Sequence, residues 1–146
     1  MIVALGAFAA AGAICLAGGD AQARIEATRF TLVWRHSIEL IDWEEDYVVA
    51  GDWLYLSGAR IRGTGAGMEP PPDAQRVGGV YVYRPDLRWF RELNLARSSF
   101  VQDYRVCVDG RCRPMSDWLP LDPGFTRITA CARRSNPSGT SRLVPQ

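Results

Sequence analysis

From Phe30 onward the apolar residues of this chain recur at every second position in short runs. No stretch sustains the 3.6-residue period of an amphipathic helix. A period of two sends successive side chains to opposite faces of a strand, so each run has one face to bury and one to expose. The runs are Phe30 to Glu39, Trp43 to Ala50, Trp53 to Ile61, Val80 to Tyr83, Arg88 to Leu95, Tyr104 to Val108, Arg111 to Arg113, and Phe125 to Ala132. Gly51-Asp52, Pro85-Asp86 and Asp109-Gly110 punctuate them as turns. Arg62 to Gly79, with its scattered glycines and Pro70-Pro-Pro72, reads as one long loop. Asp117 to Leu121 reads as a weak strand interrupted by Pro120. There is no internal repeat and no crossover helix for a parallel sheet. Seven to eight short, mostly antiparallel strands predict an all-β fold, a single small sandwich or a partly closed barrel.

At 146 residues the chain has the length of one domain. Its formal net charge of +1 lacks the basic excess of a nucleic-acid surface, so no nucleic-acid partner is expected. The first residues, Met1 to Ala17, form an apolar run of small and aliphatic side chains. It is shorter than the roughly 18–20 residues that span a bilayer. Ala21-Gln-Ala23 then offers small residues where a signal peptidase reads. This pattern predicts a signal peptide over 1–23, cleavage before Arg24, and a periplasmic protein. An uncleaved membrane anchor is the alternative, since no Lys or Arg precedes the apolar run. The β-domain is then expected over 24–132, with 133–146 as a flexible C-terminal tail.

Cleavage would remove Cys15 and leave Cys107, Cys112 and Cys131. Asp109-Gly110 is a two-residue hairpin signal, because both positions favour positive φ. That turn sets Cys107 directly opposite Cys112 in the non-hydrogen-bonded register. There Cα atoms approach to about 4.5 Å, close enough for a disulfide. The competing pairing, Cys112 with Cys131, leaves Cys107 free. No ligand pair has zinc spacing, so neither a metal nor a cofactor is expected.

Alternation places Phe30, Leu32, Trp34, His36 and Ile38 on one face, and Thr31, Val33, Arg35, Ser37 and Glu39 on the other. His36 and Ser37 therefore point apart, and no Gly-x-Ser-x-Gly occurs, so serine-hydrolase chemistry is not expected. His36, the only histidine, is either a core residue or part of a pocket wall held by an acid of the next strand, with Glu44 the chosen candidate. Glu44 and Asp46 share a face, while Glu45 joins Trp43 and Tyr47. Gly63-Thr-Gly-Ala-Gly-Met68 is followed by prolines and cannot open the helix that a dinucleotide loop requires. Its backbone amides, beside Arg60 and Arg62, could instead cradle a carboxylate. The tryptophans read as core and rim, not as a sugar platform.

The block ending in His36-Ser37-Ile38-Glu39, then Trp43-Glu44, then Gly65-Ala-Gly-Met68, then Cys107, Cys112 and Cys131, resembles a family of small exported bacterial proteins of unknown function. These are encoded beside TRAP transporters of the type whose soluble binding protein is the TAXI class. The resemblance covers about residues 28 to 131. It implies a periplasmic accessory role near carboxylate uptake and no catalytic residue. Expected binding residues are His36, Ser37, Glu39, Trp43, Glu44, Arg60, Arg62, Gly63, Gly65, Gly67 and Met68. The expected ligand is a small carboxylate, and the alternative partner a component of the transporter. Two other readings are a hydrolase built on His36 and Glu44, and a structural module that docks a membrane subunit.

Overall fold

The computed structural model describes residues 12–36, 40–63, 70–121 and 124–132. These form twelve strands: β1 (Ala13–Gly18), β2 (Ala21–Ile25), β3 (Arg29–Arg35), β4 (Asp42–Ala50), β5 (Trp53–Ile61), β6 (Gln75–Val77), β7 (Val80–Tyr83), β8 (Trp89–Phe90), β9 (Glu92–Ala96), β10 (Arg105–Val108), β11 (Arg111–Pro114) and β12 (Phe125–Cys131). All pairings are antiparallel. They make a four-stranded sheet in the order β2-β1-β12-β9 and an eight-stranded sheet in the order β11-β10-β3-β4-β5-β7-β6, with β8 paired to β5. The fold is an all-β sandwich, not a closed barrel.

Period-two burial joins the sheets. Ile14, Leu16, Ile25, Leu93, Leu95 and Ile128 of the smaller sheet pack in one cluster with Phe30, Leu32, Tyr47, Leu54, Leu56 and Val106 of the larger. Each such side chain, fully buried, stabilises the fold by roughly 1.5–3 kcal/mol before the entropy of ordering it is counted. One end of the sandwich is tied by Arg97, which is 4% exposed. Its guanidinium donates to both oxygens of Asp103 at 2.8 and 3.0 Å, to Thr126 Oγ1 at 2.9 Å, and to the carbonyls of Leu119 and Pro120 at 3.1 and 3.3 Å. A buried cation needs such complete partnering.

Several boundaries differ from expectation. Residues 13–25 are not separate from the β-domain. They are two strands of the smaller sheet, with Ala13, Ile14 and Leu16 in the core, so the domain begins before Arg24. Cys15 pairs with Cys131, which overturns the expectation that Cys131 or Cys107 is left unpaired. The hairpin disulfide Cys107–Cys112 forms as expected, the two residues facing each other across β10 and β11 with Cα atoms 3.9 Å apart. Asp109 and Gly110 take φ 51° and 76° in the turn between them. The run Arg88 to Leu95 breaks at Arg91, so β8 joins the larger sheet and β9 the smaller. The expected long loop contains β6, folded back on β7 through Gly78 and Gly79 at φ 56° and 81°. The weak strand around Asp117 is instead a 3-10 turn over Met115–Asp117.

Candidate functional site

β3, β4 and β5 run side by side, with Trp34 opposite Trp43 and Trp43 opposite Ile61. The chain segments expected to bind a ligand leave from this one end of the larger sheet. His36 follows β3, and its N–H donates to Ile41 O at 2.9 Å while its carbonyl accepts from Leu40 N–H at 3.0 Å. Leu40 takes φ 56°, a left-handed conformation that is strained for a residue with a branched side chain. Gly63 lies two residues past Ile61. Ser37, Glu39, Gly65, Gly67 and Met68 lie outside the described residues.

The sheet's outer face carries a ladder of charge. Val33 sits opposite Glu44, Glu44 opposite Arg60, and Thr31 opposite Asp46. Arg60 Nε donates to Glu44 Oε2 at 2.8 Å, and its two terminal nitrogens donate to the two oxygens of Asp46. Arg62 donates to Glu44 Oε1 at 3.0 Å, Thr31 to Asp46 Oδ1 at 2.6 Å, and Arg105 to Asp42 Oδ2 at 2.7 Å. Burial pushes the Glu44 and Asp46 carboxyls up, but these donors outweigh it and hold both below the usual carboxylate range. The hydrogen bonds that Arg60 donates to Asp46 and Glu44 likewise raise its guanidinium. A shallow depression of about 370 Å³ opens on this ladder, floored by the Cys107–Cys112 bridge.

His36 lies on the other face. It is 9% exposed, its ring 6.1 Å from the Trp43 ring and 6.4 Å from Trp34, and Trp34 stacks on Trp43 at 4.9 Å. Glu44 points away from it, so the expected His36–Glu44 pair does not form, and a hydrolase built on that pair has no geometry. Nor do Arg60 and Arg62 stand ready for an anion, because both are engaged by Glu44, and Arg60 by Asp46 too.

The acid that shares the face of Trp43 is Glu45, opposite buried Leu32 and Ala59. Tyr47 O–H donates to Glu45 Oε2 at 2.8 Å. Burial raises the Glu45 carboxyl above its usual range, and the Tyr47 bond only partly offsets this. Burial, then the charge of Glu45, raises the Tyr47, Tyr83 and Tyr104 hydroxyls. Trp43 is 6% exposed, and its indole N–H has no acceptor among the described residues. Half of the signal for Glu45 was in the sequence: alternation puts it with Trp43 and Tyr47, and the pairing of Trp34 with Trp43 then brings that face to His36. Among the described residues no cluster of His, Cys, Asp and Glu could hold a metal ion.

This is a two-sheet β-sandwich with an ion-paired outer face and an inner face where aromatic rings surround a carboxyl group. Residues 30–115 match the model of DUF1850, a domain of unknown function, and the chain belongs to that family. The matched segment runs from Phe30 to Met115, so it holds the whole ladder and niche and leaves β1, β2 and β12 outside. No curated protein and no solved structure matches the chain significantly.

Proposed function

We propose that the chain is a non-enzymatic periplasmic binding domain, an accessory of TRAP-type carboxylate uptake, that takes a small carboxylate on the inner face of its larger sheet. The observation that carries this reading is the buried indole N–H of Trp43, without an acceptor among the described residues, beside the ring of His36. A buried donor left unmade costs about 1–3 kcal/mol, which an incoming acceptor recovers. The strained backbone at Leu40 in the adjoining turn fits a site held ready at some cost in stability. Two disulfides accord with an oxidising compartment. The family resemblance to proteins encoded beside TRAP transporters supplies the physiological setting, as an association only.

Thermal-shift measurements against dicarboxylates and amino acids test this. Stabilisation is expected, weakened by His36→Ala and Trp43→Phe and unchanged by Arg62→Ala. No shift with any carboxylate at saturating concentration sinks the reading. A second reading, docking of a membrane subunit of the transporter, is favoured by the exposure of Phe100 at 95% and Phe125 at 69%. The bond from Arg97 N–H to Gly124 O holds the two segments that carry them together. Copurification with that subunit, lost in Phe100→Ser, would mark it as the correct one.

A further inference from the structure

Four of the partly buried acids of this molecule have a cation. Asp42 has Arg105, Glu44 has Arg60 and Arg62, Asp46 has Arg60, and Asp103 has Arg97. Glu45 has only the Tyr47 hydroxyl among the described residues. Its neighbours in register, Leu32 and Ala59, are apolar. Two positions back on the same strand face, Trp43 presents a donor with no acceptor among the described residues. The niche thus combines an acid short of a cation with a donor short of an acceptor. Their α-carbons are about 7 Å apart, two strand residues.

The surroundings are aromatic. Trp34, Trp43 and His36 form one ring cluster, and Tyr47, Tyr83 and Tyr104 are close enough to be affected by the charge of Glu45. Ring faces attract an ammonium group, more strongly once it has shed water. Solvent reaches part of the niche's wall, although Trp43 and Ile61 are buried at 6% and 1% exposure. The cluster that joins the two sheets includes Leu32 and Tyr47 but not Trp34, Trp43 or Ile61, which lie further along the same face. Trp34, Glu45, Tyr83 and Tyr104 are all half-buried.

We propose that this niche recognises a small zwitterion, an α-amino acid, whose ammonium group sits against Glu45 and whose carboxylate accepts the indole N–H of Trp43. The proposal rests on the reading of the chain as a carboxylate-binding domain and narrows its ligand to carboxylates that also carry an ammonium group. No bond is made or broken, and Glu45 binds as the carboxylate.

Calorimetric titration with matched pairs tests it: L-alanine against propionate, L-glutamate against glutarate, and L-leucine against 4-methylpentanoate. Within each pair the carbon skeleton is the same and only the ammonium group differs. At least one amino acid is expected to bind tenfold or more tightly than its partner. Glu45→Gln, which keeps an acceptor for Tyr47, should abolish that preference: the amino acid binds more weakly, and the simple acid binds at least as tightly because a like charge beside its carboxylate is gone. Trp43→Phe should weaken both members by about tenfold, a bond to a charged acceptor being lost. Trp89→Phe, on the exposed face, is the control and should change neither. If a simple acid binds but no amino acid binds better, or if Glu45→Gln keeps the preference, the zwitterion site is wrong and the carboxylate reading stands. If no member of any pair binds, both fall.

Discussion

Glu44, Glu45 and Asp46 are consecutive, yet their carboxyls shift in different directions because alternation hands them to different faces. Glu44 and Asp46 meet guanidinium groups, and their folded-state pKa values are lowered from 4.5 and 3.8. Their contribution to stability is present above those values and is lost as the pH falls through the lowered ones. Glu45 is raised from 4.5, so the native state holds its proton more tightly than the unfolded chain. Its contribution is full below about pH 4.5 and is lost as the pH rises through the folded value. In Glu45→Gln the urea midpoint is therefore expected to rise at pH 8, to change little at pH 4, and to keep its decline in stronger acid. An unchanged midpoint at pH 8 would mean that water reaches Glu45 freely. Arg97 is the opposite case, a buried cation with every partner in place. Arg97→Met leaves Asp103 without its counter-charge and should cost about 3–5 kcal/mol in chemical denaturation. Nothing local marks Arg97 as buried, since its partners are brought to it by three separate segments. The face of Glu45, by contrast, was readable from Trp43 and Tyr47 alone.

Elements whose partners are near in sequence were legible, and those with distant partners were not. The β10–β11 hairpin follows from Asp109-Gly110, whose positive φ angles set the register that places Cys107 on Cys112. β5 and β7 begin and end where their alternation does. The Gly78-Gly79 turn carried a comparable hairpin signal, but the prolines before it masked the three residues of β6. At Arg91 the chain changes sheets and the inward positions move from Phe90 to Leu93 and Leu95, and no local pattern records which sheet a strand will join. The two disulfides differ by the same logic. Cys107–Cys112 spans a separation of 5 residues and Cys15–Cys131 one of 116. Loop-closure entropy assigns about 2 kcal/mol to the first and about 5 to the second. Replacing both members of the long bridge by serine should therefore lower the thermal midpoint clearly more than the same change in the hairpin. Equal losses would locate the stabilisation in the native state and not in the unfolded chain.

At the scale of the whole molecule, the smaller sheet depends on the chain before Arg24. β1 lies between β2 and β12, and Ile14 and Leu16 cover part of the core. A protein that starts at Arg24 lacks β1, most of β2 and the partner of Cys131. Such a variant should lose its cooperative thermal transition, read by circular dichroism in the near ultraviolet. A cooperative transition at the full-length midpoint would show that β3–β12 fold without that edge and that cleavage there is compatible with the fold. The last part of the apolar run at the N-terminus, Ala13–Gly18, is a strand of the smaller sheet, and a strand with small residues after it has the composition of a leader. Composition does not distinguish a segment to be removed from one to be buried. By itself the sequence determined the all-β class, most of the strands, the hairpin bridge, and which residues of each strand share a face, because these depend on a period of two and on the φ preferences of two-residue turns. Only the tertiary structure decided that Cys15 meets Cys131, that Arg60 and Arg62 are engaged by acids, and that Glu45 rather than Glu44 shares the niche of His36 and Trp43. Those outcomes depend on which distant strand lies alongside, and that choice is made by burial summed over both sheets.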